Sequence, residues 1–354
     1  MIAAGGTGGH IYPAQGFAEQ LLAINEPSEI LFVAGGLAKN RYFDRSRFPY
    51  KEVACSPIIS KNPIKLAKGL YNLVKGTKDA MKIMNDFNPD VVVAFGSFYT
   101  VPVVLAARLL KVPYILHEAN SIPGKANKWL SRYAQAVGVH FPMTRELLKG
   151  NVMEVGMPLR LGYRVGSVSK NEALGYYGLK DGITTILIFG GSQGAQGINR
   201  LMKNCKLSDV QIIHITGKEE EVELFRHLYQ AQNISAAVKP FESHMLMAWH
   251  AADLFIGRSG ASTVAEALEF EMPGILIPYP HATDNHQDKN ADYLVDTVGS
   301  AIKFAEHSLT AEQLMSAIKN LDTRQMKKNV QQYKLRPNKI DLYQLVMKSI
   351  SKFC

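Results

Sequence analysis

The sequence predicts an α/β protein built from two Rossmann-like domains. Short apolar segments alternate with helix-length segments, and the alternation restarts near residue 183. Each half also carries a glycine loop directly after a strand candidate and ahead of a helix. The loops are Gly5-Gly6-Thr7-Gly8-Gly9-His10 and Gly190-Gly191-Ser192-Gln193-Gly194-Ala195, 185 residues apart. A length of 354 residues suits two domains of about 150 residues, each large enough to bury its own core.

The first half opens on a strand at Met1–Ala4 and continues with strands at 29–35, 50–55, 90–96, 113–118, 136–140 and 152–156. Helices are expected at 13–23, 63–86, 101–110, 125–134 and 143–149. The second half places strands at 183–189, 210–216, 234–239, 253–257, 274–278 and 301–305. Its helices fall at 195–203, 219–231, 243–251, 261–270, 286–297 and 310–321. The hinge is expected near Met157-Pro158-Leu159-Arg160, giving domains 1–158 and 159–337. After Arg336-Pro337, a last helix within 338–354 is expected to cross back to the first domain. Four residues are few for a first strand, which is usually central in such a sheet; the natural start is expected a few residues earlier.

Composition excludes collagen-like, disulfide-scaffold and disordered classes. No stretch approaches the ~18 uncharged apolar residues of a membrane-spanning helix, and Met1-Ile2-Ala3-Ala4 runs into glycines without a signal-peptide pattern. Cys55, Cys205 and Cys354 are far apart and lack metal-ligand spacing; an odd count without a secretion signal fits a reducing cytosol. Cys55 and Cys205 are expected as core fillers.

The net charge of +9 invites a nucleic-acid or membrane reading. Its distribution is uneven. Residues 1–165 hold 20 Lys and Arg against 11 Asp and Glu, residues 166–300 hold 10 against 16, and residues 301–354 hold 10 against 4. The densest stretch has Lys61, Lys65, Lys68, Lys75, Lys78 and Lys82 against Asp79, interleaved with Ile64, Leu66, Leu70, Tyr71, Leu73 and Val74. Such a helix either lies on an anionic membrane or is an ordinary surface helix with a solvated Lys face and a core face.

A glycine loop between strand and helix brings backbone N–H groups and the helix dipole to a phosphate, and glycine lets the backbone approach closely. The first loop does not fit the Gly-x-Gly-x-x-Gly dinucleotide pattern, and Glu26 or Glu29 would mimic the ribose acid only weakly. A third site is Gly257-Arg258-Ser259-Gly260-Ala261, where a strand ends, small residues turn and a helix starts with N–H groups open to an anion. Glu266 lies about one turn along that helix, as a ribose ligand or as a plain helix-surface charge. The polar loop from His281 to Asn290 follows a strand, where open α/β sheets bind ligands; it also suits a solvated connection. No Asp-x-Asp occurs, so a diphosphate is expected to be held by helix N-termini instead of a metal.

Taken together, Gly5–His10, Gly190–Ala195, Arg258–Glu266 and His281–Asn290 resemble, in order, the bacterial N-acetylglucosaminyltransferases that make lipid II for peptidoglycan. His117-Glu118-Ala119-Asn120 and Asn127-Lys128-Trp129-Leu130 extend the resemblance, which runs from residue 4 to about residue 300. It implies a GT-B fold, with two Rossmann-like domains whose parallel sheets face each other across a cleft. It also implies inverting transfer of GlcNAc from UDP-GlcNAc to the 4-hydroxyl of the muramoyl sugar of undecaprenyl-diphospho-MurNAc-pentapeptide (lipid I). No cofactor or essential metal and no nucleic-acid partner is implied.

Carried onto this chain, the resemblance puts the donor on Thr7, Gly8, Gly9, Asn120, Arg160, Ser192, Ala261, Ser262, Thr263, Val264, Ala265, Glu266 and Gln287, with Asn290 added for the sugar hydroxyls. His10 is the expected base, with a loop-shaping role as its alternative, and Glu118 is the runner-up base. A lipid-linked acceptor implies a peripheral enzyme on the cytoplasmic face of the plasma membrane, attached through Lys65, Lys68, Lys75 and Lys78. The chain departs from the family at Gly96-Ser97-Phe98-Tyr99-Thr100, which has one glycine, and at Phe241-Glu242, where an apolar residue is usual. The competing functions are a UDP-GlcNAc 2-epimerase or another GT-B glycolipid transferase, a silent nucleotide-sugar-binding subunit, and a nucleic-acid binder.

Overall fold

The computed structural model describes residues 1–24, 28–57, 62–191, 196–336 and 340–350. The chain divides into two compact units, Met1–Leu161 with Asn338–Cys354, and Gly162–Pro337.

In the first unit the order is β1 (Ile2–Ala3), α1 (Gly8–Ala23), β2 (Phe32–Ala34), β3 (Tyr50–Glu52), α2 (Pro63–Phe87), β4 (Val92–Ala94), α3 (Val101–Leu109), β5 (Tyr114–Glu118), α4 (Lys125–Leu130), β6 (Ala136–Val139) and β7 (Val152–Glu154). Its seven strands pair in parallel in the order β3-β2-β1-β4-β5-β6-β7. β1 is short yet central, with Ile2 opposite Phe32 on one side and Val93 on the other. Side chains alternate across the pleat. Met1 and Ala3 enter one core layer with Val33, Val92 and Leu116, while Ile2 and Ala4 enter the other with Ile11, Phe17 and Phe32.

The second unit continues with α5 (Lys170–Tyr176), β8 (Thr184–Phe189), α6 (Gln196–Met202), β9 (Val210–Ile215), α7 (Val222–Ala231), β10 (Ala236–Lys239), α8 (Met245–Ala251), β11 (Leu254–Gly257), α9 (Ala261–Glu269), β12 (Gly274–Leu276), α10 (His286–Asp292), β13 (Ala301–Lys303), α11 (Ala311–Asn320) and α12 (Thr323–Lys334). Its parallel sheet runs β10-β9-β8-β11-β12-β13. Strand order therefore reverses between β1 and β4 in one unit and between β8 and β11 in the other. Open α/β sheets bind ligands at such switch points. The α/β architecture of two parallel sheets is the one predicted. After α12 the chain forms α13 (Leu342–Ile350), whose Leu342, Leu345 and Val346 join the first unit's core, and Ile340 bridges to Val155.

Several elements differ from expectation for local reasons. Helix α1 starts at Gly8 and keeps Pro13 inside it; proline marks a helix start in sequence, and here the glycine loop itself supplies the first turn. The segment expected as a helix at 143–149 is a 3-10 turn over Pro142–Leu147. The helix expected over 286–297 changes to a π turn over Tyr293–Val298 and stops at Gly299, φ +70°. Two helices escaped the sequence pattern. α5 is capped by Ser169, which accepts from the Glu172 N–H, and α12 by Asp322, which accepts from the Gln325 N–H.

Helix α2 buries a narrow stripe of Gly69, Gly76, Thr77, Ala80 and Met84. A Cβ at Gly76 would lie 1.9 Å from the Ala54 carbonyl oxygen, so Gly76 sets how closely this helix approaches the strand end. Alanine would favour the helix by ~1 kcal/mol, but the displaced backbone costs more. Gly76→Ala is expected to destabilise the protein by about 2 kcal/mol net, read as a lower urea midpoint; an unchanged midpoint would contradict the close approach.

Two histidines are sealed inside the sheets. His117 on β5 and His214 on β9 are each pulled down to about 3 by burial, and the charge of nearby His10 adds to the effect on His117. His214 still has partners, with Nδ1 2.9 Å from the Tyr229 hydroxyl and Nε2 3.2 Å from Asn199 Oδ1. Between their unfolded value near 6.5 and about 3, the unfolded chain binds more protons than the folded one. Stability is therefore full above pH 6.5 and falls on acidification, by up to about 1.4 kcal/mol per pH unit for each histidine. Urea midpoints from pH 7 to 4.5 should show this fall, and His214→Gln should flatten it; an equal slope in the variant would count against burial as the cause.

Candidate functional site

In the first unit, the candidate residues collect at the C-terminal ends of β1, β4 and β5. The loop after β1 turns through Gly6 at φ +90°, and a Cβ on Gly5 would lie 2.6 Å from the Tyr99 Cβ. The loop is thus clamped between the sheet and Tyr99, which leaves no room for a side chain at Gly5. Thr7 is the N-cap of α1, exposed and making no side-chain capping bond. The Thr7 carbonyl accepts from the N–H groups of His10 and Ile11. Gly8 and Gly9 thus stand at a helix N-terminus that no cap side chain fills, the arrangement that suits an anion.

The one-glycine turn after β4 carries two consecutive residues at positive φ, one of them not glycine, at a conformational cost. Gly96 has φ +77° and Ser97 φ +71°, in a region that disfavours side chains. The turn is tied by the Thr100 hydroxyl, which donates to the Gly96 and Ser97 carbonyls. Phe98 and Tyr99 stack at 4.1 Å.

His10 is half-buried in the first turn of α1 and electrostatically coupled to His117 beneath it. Because burial keeps His117 neutral near pH 7, it places no opposing charge beside His10. Glu118 is buried, and both its oxygens are engaged. Oε1 accepts from the Asn120 N–H at 3.0 Å; Oε2 accepts from the Gly124 N–H at 3.0 Å and from the Asn127 side-chain amide at 2.9 Å. Burial raises its pKa and these donors pull it back, with a net upward shift. Asn120 is held in turn by the Thr144 hydroxyl on its carbonyl. The structure therefore gives Glu118 the task of folding the 118–127 loop and presenting Asn120. Arg160 lies over the Tyr12 ring at 5.1 Å. Its flanks are fixed to α1, since Gln20 donates to the Leu159 carbonyl and Glu19 accepts from the Leu161 N–H.

In the second unit, the candidate residues gather at the start of α9. Gly260 is the N-cap and offers no side chain, so the N–H groups of Ala261, Ser262 and Thr263 open onto the end of β11. Ser262 Oγ is buried and has no hydrogen-bond partner among the described residues. Ala261, Thr263, Val264 and Ala265 turn their side chains into the protein; the Val264 N–H already donates to the Gly260 carbonyl, so the backbone offered to a ligand is that of the first turn. Glu266 is half-buried, and its Oε2 accepts from the Trp249 indole N–H at 2.6 Å. Arg258 is buried and orders the strand ends. It donates to the Ile277 and Pro278 carbonyls, lies over Tyr279 and pairs with Glu306 at 2.5 Å.

Gln287 is half-buried; its Oε1 accepts from the Tyr279 N–H, and its carbonyl accepts from the Ser259 hydroxyl. Asn290 is fully buried and donates to the Ser259 carbonyl at 3.0 Å. Its amide thereby ties α10 to the Ser259 turn. Ser192 lies outside the described residues. Glu242, which breaks the family pattern, faces inward. It accepts from the Tyr177 hydroxyl, Lys239 and the His244 N–H, and these partners outweigh burial to hold its pKa down. Its charge is thereby spent inside the fold, while Phe241 is exposed.

Lys65, Lys68, Lys75 and Lys78 are all exposed on α2. The core face is narrow in the first half of that helix, where Gly69 is buried and Leu73 half-buried while Ile64, Leu66, Leu70, Tyr71 and Val74 are exposed too. No helix among the described residues is long and apolar enough to cross a membrane. Sequence reasoning missed Trp249, Glu306 and Tyr12. Their partners lie far off in the chain or, for Tyr12, across a fold-dependent contact, and no local motif marks them.

Comparison with known proteins agrees across the whole chain. Residues 1–139 match the glycosyltransferase family 28 N-terminal domain and residues 185–342 its C-terminal domain. A UDP-N-acetylglucosamine–N-acetylmuramyl-(pentapeptide) pyrophosphoryl-undecaprenol N-acetylglucosamine transferase of Protochlamydia amoebophila is 55% identical, covering 98% of this chain and 94% of the relative. The enzyme of the same name from Halalkalibacterium halodurans is 34% identical, covering 91% and 90%. The crystal structure of Acinetobacter baumannii MurG superposes with a TM-score of 0.76 at 29% identity, covering 99% and 98%. A UDP-glucose:anthocyanidin 3-O-glucosyltransferase in complex with UDP shares the fold, with a TM-score of 0.68 at 14% identity, covering 99% and 98%. The chain belongs to glycosyltransferase family 28, in the family of the UDP-N-acetylglucosamine–N-acetylmuramyl-(pentapeptide) pyrophosphoryl-undecaprenol N-acetylglucosamine transferases.

Proposed function

We propose that this protein transfers GlcNAc from UDP-GlcNAc to the 4-hydroxyl of MurNAc in lipid I, with inversion at the anomeric carbon, to form lipid II. The observation that supports it best is the open start of α9, with N–H groups at 261–263, the Ser262 hydroxyl and Glu266 one turn on. A diphosphate needs such N–H donors, and a ribose diol needs a carboxylate. The names of the relatives supply the acceptor.

In the second unit, the 261–263 N–H groups and Ser192 hold the diphosphate, Glu266 holds the ribose, and Gln287 and Asn290 meet the GlcNAc hydroxyls. In the first unit, Thr7, Gly8, Gly9, Asn120 and Arg160 complete the ligand contacts. The 4-hydroxyl oxygen attacks the anomeric carbon as His10 takes its proton. The bond from that carbon to the diphosphate oxygen breaks, and UDP leaves with the electron pair. The N–H groups and the dipole of α9 stabilise the charge that develops there. His10 is the base in this scheme because Glu118 already spends both oxygens on its own loop.

Transfer from UDP-GlcNAc to a lipid I analogue is expected to proceed in EDTA. UDP release that does not depend on the acceptor would instead indicate an epimerase. His10→Ala is expected to lower kcat by about 10²–10⁴-fold while calorimetric UDP binding stays near wild type. Near-normal kcat would remove His10 from the base role.

The acceptor is lipid-linked, so the same proposal places the enzyme peripherally on the cytoplasmic face of the plasma membrane. The mixed Lys and apolar surface of α2 supports this. Each Lys near an anionic leaflet contributes about 1 kcal/mol, and Ile64, Leu66, Leu70, Tyr71 and Val74 add apolar contact. Changing Lys65, Lys68, Lys75 and Lys78 together to Glu should abolish co-sedimentation with phosphatidylglycerol vesicles while the thermal transition stays unchanged. Undiminished co-sedimentation would rule out α2 as the attachment site.

A further inference from the structure

Trp249 on α8 is 1% exposed and held by aromatic neighbours from three directions. Phe189 at the end of β8 meets it edge-on at 5.5 Å, Phe255 on β11 lies at 5.3 Å, and Phe270 after α9 stacks at 5.9 Å with planes 5° apart. A ring gripped in this way has one rotamer. Its single polar atom, the indole N–H, is a donor only and needs an acceptor when buried. That acceptor is Glu266 Oε2, at 2.6 Å.

We infer that Trp249 is a positioning residue for nucleotide recognition: it fixes the Glu266 carboxylate through one oxygen and so sets the direction in which that group meets the ribose hydroxyls. The inference rests on Glu266 as the ribose ligand and adds the group that aims it. A glutamate has several rotatable bonds, and an unrestrained one must lose that freedom when the nucleotide binds. A charge-assisted bond from a locked indole removes the freedom beforehand, so more of the ribose contact energy appears as affinity. The aromatic grip draws on β8, β11 and the segment after α9, so the carboxylate is referenced to the strand ends that flank the diphosphate helix.

The test is calorimetry on the full chain with UDP and 2′-deoxy-UDP. Wild type should favour UDP by about tenfold, the worth of a hydrogen bond to a charged group. Trp249→Phe keeps the ring stack and removes only the N–H donor. It should weaken UDP by about five- to tenfold and leave 2′-deoxy-UDP nearly unchanged, so that discrimination collapses. Glu266→Ala should also abolish discrimination. Should Glu266→Ala abolish it while Trp249→Phe retains it, the positioning role fails and the ribose ligand stands. Should Glu266→Ala retain it, the ribose reading itself fails.

A second measurement needs no variant. The chain has two tryptophans, and Trp129 is half exposed, so the buried Trp249 indole can be assigned in an ¹⁵N–¹H spectrum. UDP should shift its indole resonance more than 2′-deoxy-UDP does; equal shifts would overturn the inference.

Discussion

An α-helix leaves the N–H groups of its first turn without partners, and the second unit is arranged to keep those of α9 that way. Gly260 caps the helix with no side chain, and Ser262 Oγ is enclosed without a partner among the described residues. Holding polar groups in this state costs stability, and the surrounding residues show where the compensation lies. Val264 and Ala265 anchor the helix in the core. Ser259 is tied on both sides, its hydroxyl to the Gln287 carbonyl and its carbonyl to the Asn290 amide. Arg258 spans the ends of β11 and β12 and is neutralised by Glu306. The polar loop of 281–290 also serves as a frame for that helix start, through Gln287 and Asn290.

The first unit solves a related problem with a different device. Its loop after β1 is clamped from above by Tyr99, and the neighbouring turn accepts Ser97 at φ +71° to place that ring. Beside it, Glu118 gathers three N–H donors and so folds the loop that carries Asn120. A buried carboxylate in this role is fixed by its partners and has little spare capacity for proton transfer. His10 has the opposite setting. It stands at the rim of the helix start, above a histidine that burial keeps neutral.

The sequence made the architecture legible because strand periodicity, glycine loops and the restart near residue 183 all point the same way. Two parallel sheets, the helix starting at Ala261 and the placement of Glu266 on its first turns follow from that local code. The failures have physical causes. α5 has only seven residues, α12 is dominated by polar side chains, and each is announced by a single cap, at Ser169 and Asp322. Pro13 reads as a helix start, yet lies inside α1 because glycines supply the turn before it. Glu242 stands where the family pattern has an apolar residue, and its inward direction depends on Tyr177, 65 residues away, together with nearby Lys239. Trp249 and Glu266 are 17 residues apart on different helices, and only packing brings the indole to the carboxylate.

Charge gains meaning in the same way, from placement. A total of +9 is compatible with nucleic acid or lipid, but α2 is not a simple basic surface. Its second half buries Gly76, Ala80 and Met84 and fixes the helix to the sheet, while its first half leaves Ile64, Leu70, Tyr71 and Val74 in solvent among the lysines. Exposed aliphatic groups among cations gain nothing from a phosphate backbone in water. At a bilayer they enter the acyl boundary while the ammonium groups meet lipid phosphates. A helix that is glued down at one end and both apolar and basic at the other has the composition of the interfacial anchor proposed for this enzyme and its lipid-bound acceptor.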